Sequence, residues 1–233
     1  MTRIIGAAAL LLLLACSPRE EGEELPFDST TVPTAADEEA LAAWTVHLDD
    51  PSDPGGLQLI LSEEGFTART GAAGVVWRPI DQVTGGDFTV SATFLPADPA
   101  GGGAPYSVFV GARNIEDPDF AYSYFVVRPS GEYRIGRTAA GQDETLVEGM
   151  VRQASGSKPT TGTVTRTPRT LAVDVLGEQV HFLLDGQVVE TLPAADVKPH
   201  GTAGVRLEPN VDVDVRAWTV NRRDGASASR SPS

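Results

Sequence analysis

Two carboxylates and a guanidinium alternate in VDVDVR, where Asp212, Asp214 and Arg216 occupy every second position. On a strand all three project from one face, and Val211, Val213 and Val215 project from the other. Two carboxylates on one strand face could grip sugar hydroxyls, or serve as the acid pair of glycoside hydrolysis. The plainer assignment is a solvated face above a valine core. A second group lies in ARNIEDPDFAYSY. Tyr122 and Tyr124 share a strand face and could stack on a sugar ring, and Arg113 and Asn114 could hydrogen-bond its hydroxyls. The same tyrosines could equally well just cover a sheet. On the polar side of the later strands stand Asp174, His181, Arg206, Asp212, Asp214 and Arg216. If those strands are neighbours in one sheet, the six side chains converge into one ligand-binding ridge.

Other chemistries find less support. His47, His181 and His200 have no ligand spacing and no cysteine partners, so no zinc site is expected. HLDDPSDPGG, residues 47–56, packs Asp49, Asp50 and Asp53 into a turn. Calcium takes oxygen ligands from such loops, but Asp-Pro turns also form without a metal. No other cofactor is expected. There is no Gly-x-Ser-x-Gly elbow and no Ser-His-Asp order. Gly101-Gly102-Gly103 lacks the lysine and following helix of a phosphate loop. With 32 Asp+Glu against 18 Lys+Arg, a formal net charge of −14, nucleic acid is excluded as a partner.

The elements that must position these residues are strands. In DFTVSATFL, Phe88, Val90, Ala92 and Phe94 share one face, with Thr89, Ser91 and Thr93 opposite. YSVFVGA and FAYSYFVVR read as two further strands, and Ser130-Gly131 turns the latter into Glu132–Arg137. LAVDVLGEQVHFLLDGQVVETL predicts three strands, Leu171–Leu176, Gln179–Leu184 and Gln187–Leu192. They turn at Gly177-Glu178 and at Asp185-Gly186, the second a type I′ candidate. Two strands close the domain in GTAGVRLEPNVDVDVRAWTV. If Val220 points inward like Val215, the phase must change near Arg216-Ala217, as at a bulge, and Trp218 enters the core. Leu57–Leu61, Phe66–Arg69 and Gly74–Arg78 supply shorter strands. Only Asp37–Ala43 could form a helical turn. A dozen short strands with glycine turns and no intervening helices imply an all-β antiparallel sandwich.

This strand order resembles the concanavalin A-like lectin/glucanase jelly roll. The resemblance rests on GGDFTVSATF, YSVFVGARN, TLAVDVLGEQVHFLLDGQVVETL and GTAGVRL followed by DVDVRAWTV, and it covers roughly Trp44 to Val220. Within that group it looks like the laminin-G-like branch and the bacterial 3-keto-disaccharide hydrolase domains. It implies a jelly-roll β-sandwich whose concave sheet face would carry a glycan. Two departures stand against carried-over catalysis. The Glu-x-Asp-x-x-Glu run of glycosidases on this fold is absent, and Ser107–Gly111 stands where the hydrolase-like family carries Asn-Ser-Gly.

The chain starts MTRIIGAAALLLLLA, a lone Arg3 and then an apolar run from Ile4 to Ala15. That is the pattern of a secretory signal, and it is shorter than the ~20 residues of a spanning helix. Leu13-Leu14-Ala15-Cys16 resembles the lipobox of bacterial lipoproteins, which implies that Cys16, the only cysteine, carries the lipid anchor. Ser17 after it, rather than Asp, favours the outer membrane or cell surface by the same resemblance. The expected organisation is a signal peptide over 1–15, an acidic lipid-anchored linker over 16–39, the jelly roll over 40–220 and a loose tail over 221–233. The expected function is a lipid-anchored envelope binding module, without catalysis, for glycan or a protein partner. The alternatives are a glycoside-acting enzyme of the keto-disaccharide type and a structural envelope lipoprotein with protein partners only.

Overall fold

The computed structural model describes residues 44–49, 52, 56–62, 65–96, 105–115, 117, 120–151 and 167–223. The signal, Cys16, the linker, the Asp37–Ala43 turn, Asp50, Asp53 and the glycine triplet at 101–103 lie outside them. The described residues form fourteen strands and one helical turn. The strands are β1 (Thr45–Leu48), β2 (Leu57–Ser62), β3 (Gly65–Thr70), β4 (Gly74–Val83), β5 (Asp87–Pro96), β6 (Tyr106–Arg113) and β7 (Ala121–Val127). They continue with β8 (Glu132–Ala139), β9 (Gln142–Met150), β10 (Arg169–Leu176), β11 (Gln179–Leu184) and β12 (Gln187–Pro193). The turn α1 (Ala194–Val197) precedes β13 (Gly201–Leu207) and β14 (Asp212–Arg223). All pairings are antiparallel and make two seven-stranded sheets. Sheet A runs β1-β4-β13-β6-β7-β8-β9, and sheet B runs β12-β11-β10-β5-β14-β3-β2. This is the all-β antiparallel sandwich that the alternation predicts.

The core lies between the sheets. From sheet B come Phe88, Val90, Ala92 and Phe94, the predicted face of β5, with Val173, Phe182, Val213 and Val215. From sheet A comes the cross-strand row Val76, Val205, Val108, Phe125 and Ile135. The two-residue loop at Asp185-Gly186 has φ of 50° and 78°, the doubly positive pair that a type I′ turn requires.

Bulges in both sheets meet at one place. β4 and β13 shift register between Thr202↔Gln82 and Gly204↔Trp77, so Arg78, Pro79, Ile80 and Asp81 are extruded from the ladder. Pro79 has no N–H to offer a ladder, which suits it to a bulge. β14 shifts between Arg216↔Thr93 and Thr219↔Ser91, and Ala217 takes a φ of 50°. The predicted phase change is therefore present, and Trp218 is buried. Asp81 joins the two irregularities. Its Oδ2 accepts from Arg78 Nε at 2.7 Å and from Trp218 Nε1 at 2.7 Å, and its Oδ1 accepts from Arg78 Nη2 at 3.0 Å. Arg78 also lies 5.3 Å over the Trp44 ring, which packs on Phe66 and Trp218.

Some boundaries differ from expectation. β1 and β9 were not foreseen. β9 reads QDETLVEGM and is an edge strand with only partial burial, so its alternation is weak and its carboxylates face water. β14 continues to Arg223, three residues past Val220, because Arg222 and Arg223 still pair with Phe88 and Asp87. α1 interrupts the expected all-strand run, with Val197 turned into the core.

Replacing Asp81 with Ala should cost about 2–4 kcal/mol, since it leaves a buried indole N–H and a guanidinium without their acceptor. Urea unfolding of the D81A variant should show a lower midpoint at an unchanged slope. An unshifted midpoint would mean that the carboxylate is not what joins the sheets.

Candidate functional site

The residues singled out by sequence separate onto two opposite surfaces. Asp174, His181, Asp212, Asp214 and Arg216 stand together on the outer face of sheet B. Asp174 is opposite His181 on β11 and Thr89 on β5, and Asp214 is opposite Thr67 and Leu95. They are held by each other and by their neighbours. Asp212 pairs with Arg69 at 2.6 Å, and Asp214 with Arg216 at 2.6 Å. Asp174 pairs with Arg223 at 2.9 Å and accepts from Thr89 at 2.7 Å, and His181 Nδ1 lies 2.9 Å from Thr191 Oγ1. Asp212 and Asp214, the two carboxylates that could have formed an acid pair, are each matched by an arginine.

Arg206 does not join that ridge. β13 lies in sheet A, between β4 and β6, so Arg206 projects from the far side of the sandwich. Strand phase fixed its polar orientation, but sheet membership is set by a long-range pairing that phase does not report. There it donates to the Tyr122 hydroxyl, pairs with Asp49 at 3.3 Å and with Glu208 at 3.4 Å, and lies 5.8 Å over the Tyr122 ring. Asp49, the one described aspartate of the expected calcium turn, is thereby paired with a guanidinium.

Tyr122 and Tyr124 do share a face, the outer face of sheet A. They belong to a second apolar cluster with Val75, Trp77, Phe109, Ala112 and Val126. Each tyrosine is only 2% exposed, so neither ring is an open platform for a sugar. Phe109 lies across Gly204 and Tyr124 across Gly136, where a Cβ on either glycine would strike the ring. Phe120 stacks on Tyr122 at 5.5 Å, and the Arg134 guanidinium sits 5.3 Å from the Tyr124 ring centre. Burial pushes the Tyr122 hydroxyl up to about 12, with Arg206 opposing the shift.

Arg113 and Asn114 are exposed at the end of β6, and here the outer face of sheet A opens. They line a pocket of about 440 Å³ with Gln82, Thr84, His200 and Thr202. Ala112 and Ile115, which border the aromatic cluster, form its apolar side. Irregular backbone makes this pocket. β6 carries an extra residue between Val110 and Arg113 against β7, and β4 and β13 shift at Thr202 on its other side. Gly111 sits in the β6 bulge at a φ of 70°, and a Cβ there would collide with the Lys198 carbonyl. Asn114 and Lys198 also hold positive φ, 53° each. Bulges and left-handed residues re-aim side chains out of the regular pleat, and here they turn Arg113 and Asn114 towards one opening. Sequence reading missed His200, Gln82, Thr84 and Thr202 as companions of Arg113 and Asn114. Gly111 and Gly201, each at the end of an apolar strand, were the available signal.

Solved structures of similar fold are numerous. The carbohydrate binding module CBM66 from Bacillus subtilis matches with a TM-score of 0.54 and 13% identity, over 77% of this chain and 95% of that one. A Bacillus subtilis protein of unknown function with a galectin-like fold matches at 0.55 and 14%, over 82% and 92%. The metal-free carbohydrate recognition domain of Emp46p matches at 0.54 and 13%, over 83% and 93%. At these identities the likeness is one of fold, the lectin-type jelly roll. No family model and no curated protein matches the chain.

A tyrosine whose folded pKa is raised holds its proton longer folded than unfolded. The stability linked to Tyr122 is therefore complete below pH 10 and lost as pH rises from 10 towards 12. The loss should approach about 2–3 kcal/mol at ~1.4 kcal/mol per unit. Between pH 9 and pH 11.5 the urea midpoint of the parent should fall further than that of Tyr122→Phe. Parallel declines would show that the hydroxyl is not protected by burial.

Proposed function

We propose that the chain is a lipid-anchored glycan-binding domain of the bacterial cell envelope, outer membrane or cell surface, and that it binds without catalysis. The pocket lined by Arg113, Asn114, Gln82, Thr84, His200 and Thr202 is the observation that carries this reading. Its volume suits one or two sugar residues. Hydroxyl-rich ligands need closely spaced donors and acceptors beside some apolar surface, and the pocket offers amide, hydroxyl, imidazole and guanidinium groups next to Ala112 and Ile115. Fold likeness to a carbohydrate binding module and a carbohydrate recognition domain supports the same class. The lipobox-like Leu13–Cys16 supports the anchor: burying acyl chains at ~0.8 kcal/mol per CH₂ holds a protein stably once more than one chain is attached. Binding without turnover is favoured because Asp212 and Asp214 are ion-paired on the opposite sheet, far around the sandwich from the pocket.

Thermal unfolding of the chain from Ser17 onward, with a panel of oligosaccharides, tests the reading. A bound sugar at 100 times its dissociation constant should add about 2.7 kcal/mol. The shift should disappear in Asn114→Gly with Thr202→Val, since glycine removes the amide yet tolerates the left-handed backbone there, while the unliganded melting temperature moves little. A panel that leaves the melting temperature unchanged would point instead to an envelope protein as the partner. Retention of label from radioactive palmitate in the whole chain, and its loss in Cys16→Ser, tests the anchor.

A further inference from the structure

Arg113 differs from the other described arginines. Arg69, Arg78, Arg137, Arg169, Arg206, Arg216 and Arg223 each hold a carboxylate within 3.5 Å, and Arg128 lies 4.0 Å from Glu132. Arg134 lies over Tyr124, and Arg222 donates to the carbonyls of Ile80 and Gln82. Arg113 has no ion pair, hydrogen bond or ring contact among the described residues, although the chain carries 32 Asp+Glu. Asp117, in the following turn, gives its backbone N–H to the Asn114 carbonyl and makes no ion pair with Arg113. Among the described residues no carboxylate lines the pocket, and His200 is its other ionisable group. His200 Nε2 lies 3.2 Å from the Gly86 carbonyl, which fixes the ring at the pocket's rim.

A guanidinium held at the mouth of a polyol-sized pocket, with no partner among the described residues of an acidic protein, has the form of a waiting partner for an anion. Its flat fork suits a carboxylate, which it can grip through two parallel N–H bonds. The remaining groups, Asn114, Gln82, Thr84 and Thr202, suit hydroxyls. We infer that the ligand is an acidic sugar of the uronate type, whose carboxylate meets Arg113 while its ring hydroxyls meet Asn114, Gln82 and Thr202. This inference rests on the glycan-binding reading above and narrows it to a ligand class.

The test titrates the full chain in detergent with oligouronides of the gluco, galacto, manno and gulo configurations. The same oligosaccharides, with each carboxylate reduced to a primary alcohol, form the neutral series, and acetate and inorganic phosphate serve as bare anions. At least one uronide should bind roughly ten- to a hundred-fold tighter than its reduced form. Arg113→Gln should erase that preference, and Arg113→Lys should keep part of it. Equal binding of acidic and neutral forms, or a preference that survives in Arg113→Gln, overturns the inference and leaves glycan binding standing. Acetate or phosphate binding as tightly as any uronide also overturns it, since the site would then read only charge. If neither series binds, the inference fails, and the melting shifts with the wider oligosaccharide panel decide separately whether the glycan reading stands.

Discussion

One buried carboxylate links the two sheets at the point where both depart from regular pairing. Asp81 sits in the segment that β4 extrudes, and Trp218 in the bulge of β14. Their 2.7 Å bond, with Arg78 on the same carboxylate, holds the two irregularities against each other. Bulges bend strands and change which residues face out. Once β14 is bent at Ala217, Arg222 reaches the carbonyls of Ile80 and Gln82. The wall of the pocket formed by Gln82, Val83 and Thr84 therefore follows from a contact made in the core.

The sandwich leaves its two outer faces with different characters. Sheet B shows water a polar lattice: Ser91 with Thr219, Thr93 with Thr170, and arginine–aspartate pairs at Asp174, Asp212 and Asp214. Its hydrogen-bonding groups largely serve one another. Sheet A instead carries a second apolar cluster, with Phe109 and Tyr124 lying over glycines of neighbouring strands. That cluster needs close packing to stay out of water, and through Ala112 and Ile115 it borders the strand end from which Arg113 and Asn114 emerge. The groups left free to meet a ligand stand where the regular ladder of sheet A ends.

Much of the fold was legible because alternation is a local signal. The β5 face, the three strands from Leu171 to Leu192 and the Asp185-Gly186 turn all follow from neighbouring residues. The phase change before Trp218 was legible for the same reason, since Val215 and Val220 cannot both face inward along an unbroken strand. β9 escaped because an edge strand can expose Asp143, Glu144 and Glu148 and still pair. Arg206 was placed with the wrong companions because nothing within GTAGVRL states which sheet it joins. Tyr122 and Tyr124 have the composition of a sugar platform, yet burial depends on what packs over them. Arg113 and Asn114 were visible as chemistry, but Gln82, Thr84, His200 and Thr202 come to them only through bulges in separate strands.

The central claim is that ligand recognition belongs to the bulged end of sheet A and not to the polar lattice of sheet B. Amide chemical-shift mapping of the isotopically labelled chain, with a sugar that binds, tests it most directly. Perturbations should concentrate at Thr84, Arg113, Asn114, His200 and Thr202, and leave Asp174, His181, Asp212 and Asp214 unmoved. Shifts gathered instead on those four residues of sheet B, with the pocket silent, would contradict the claim.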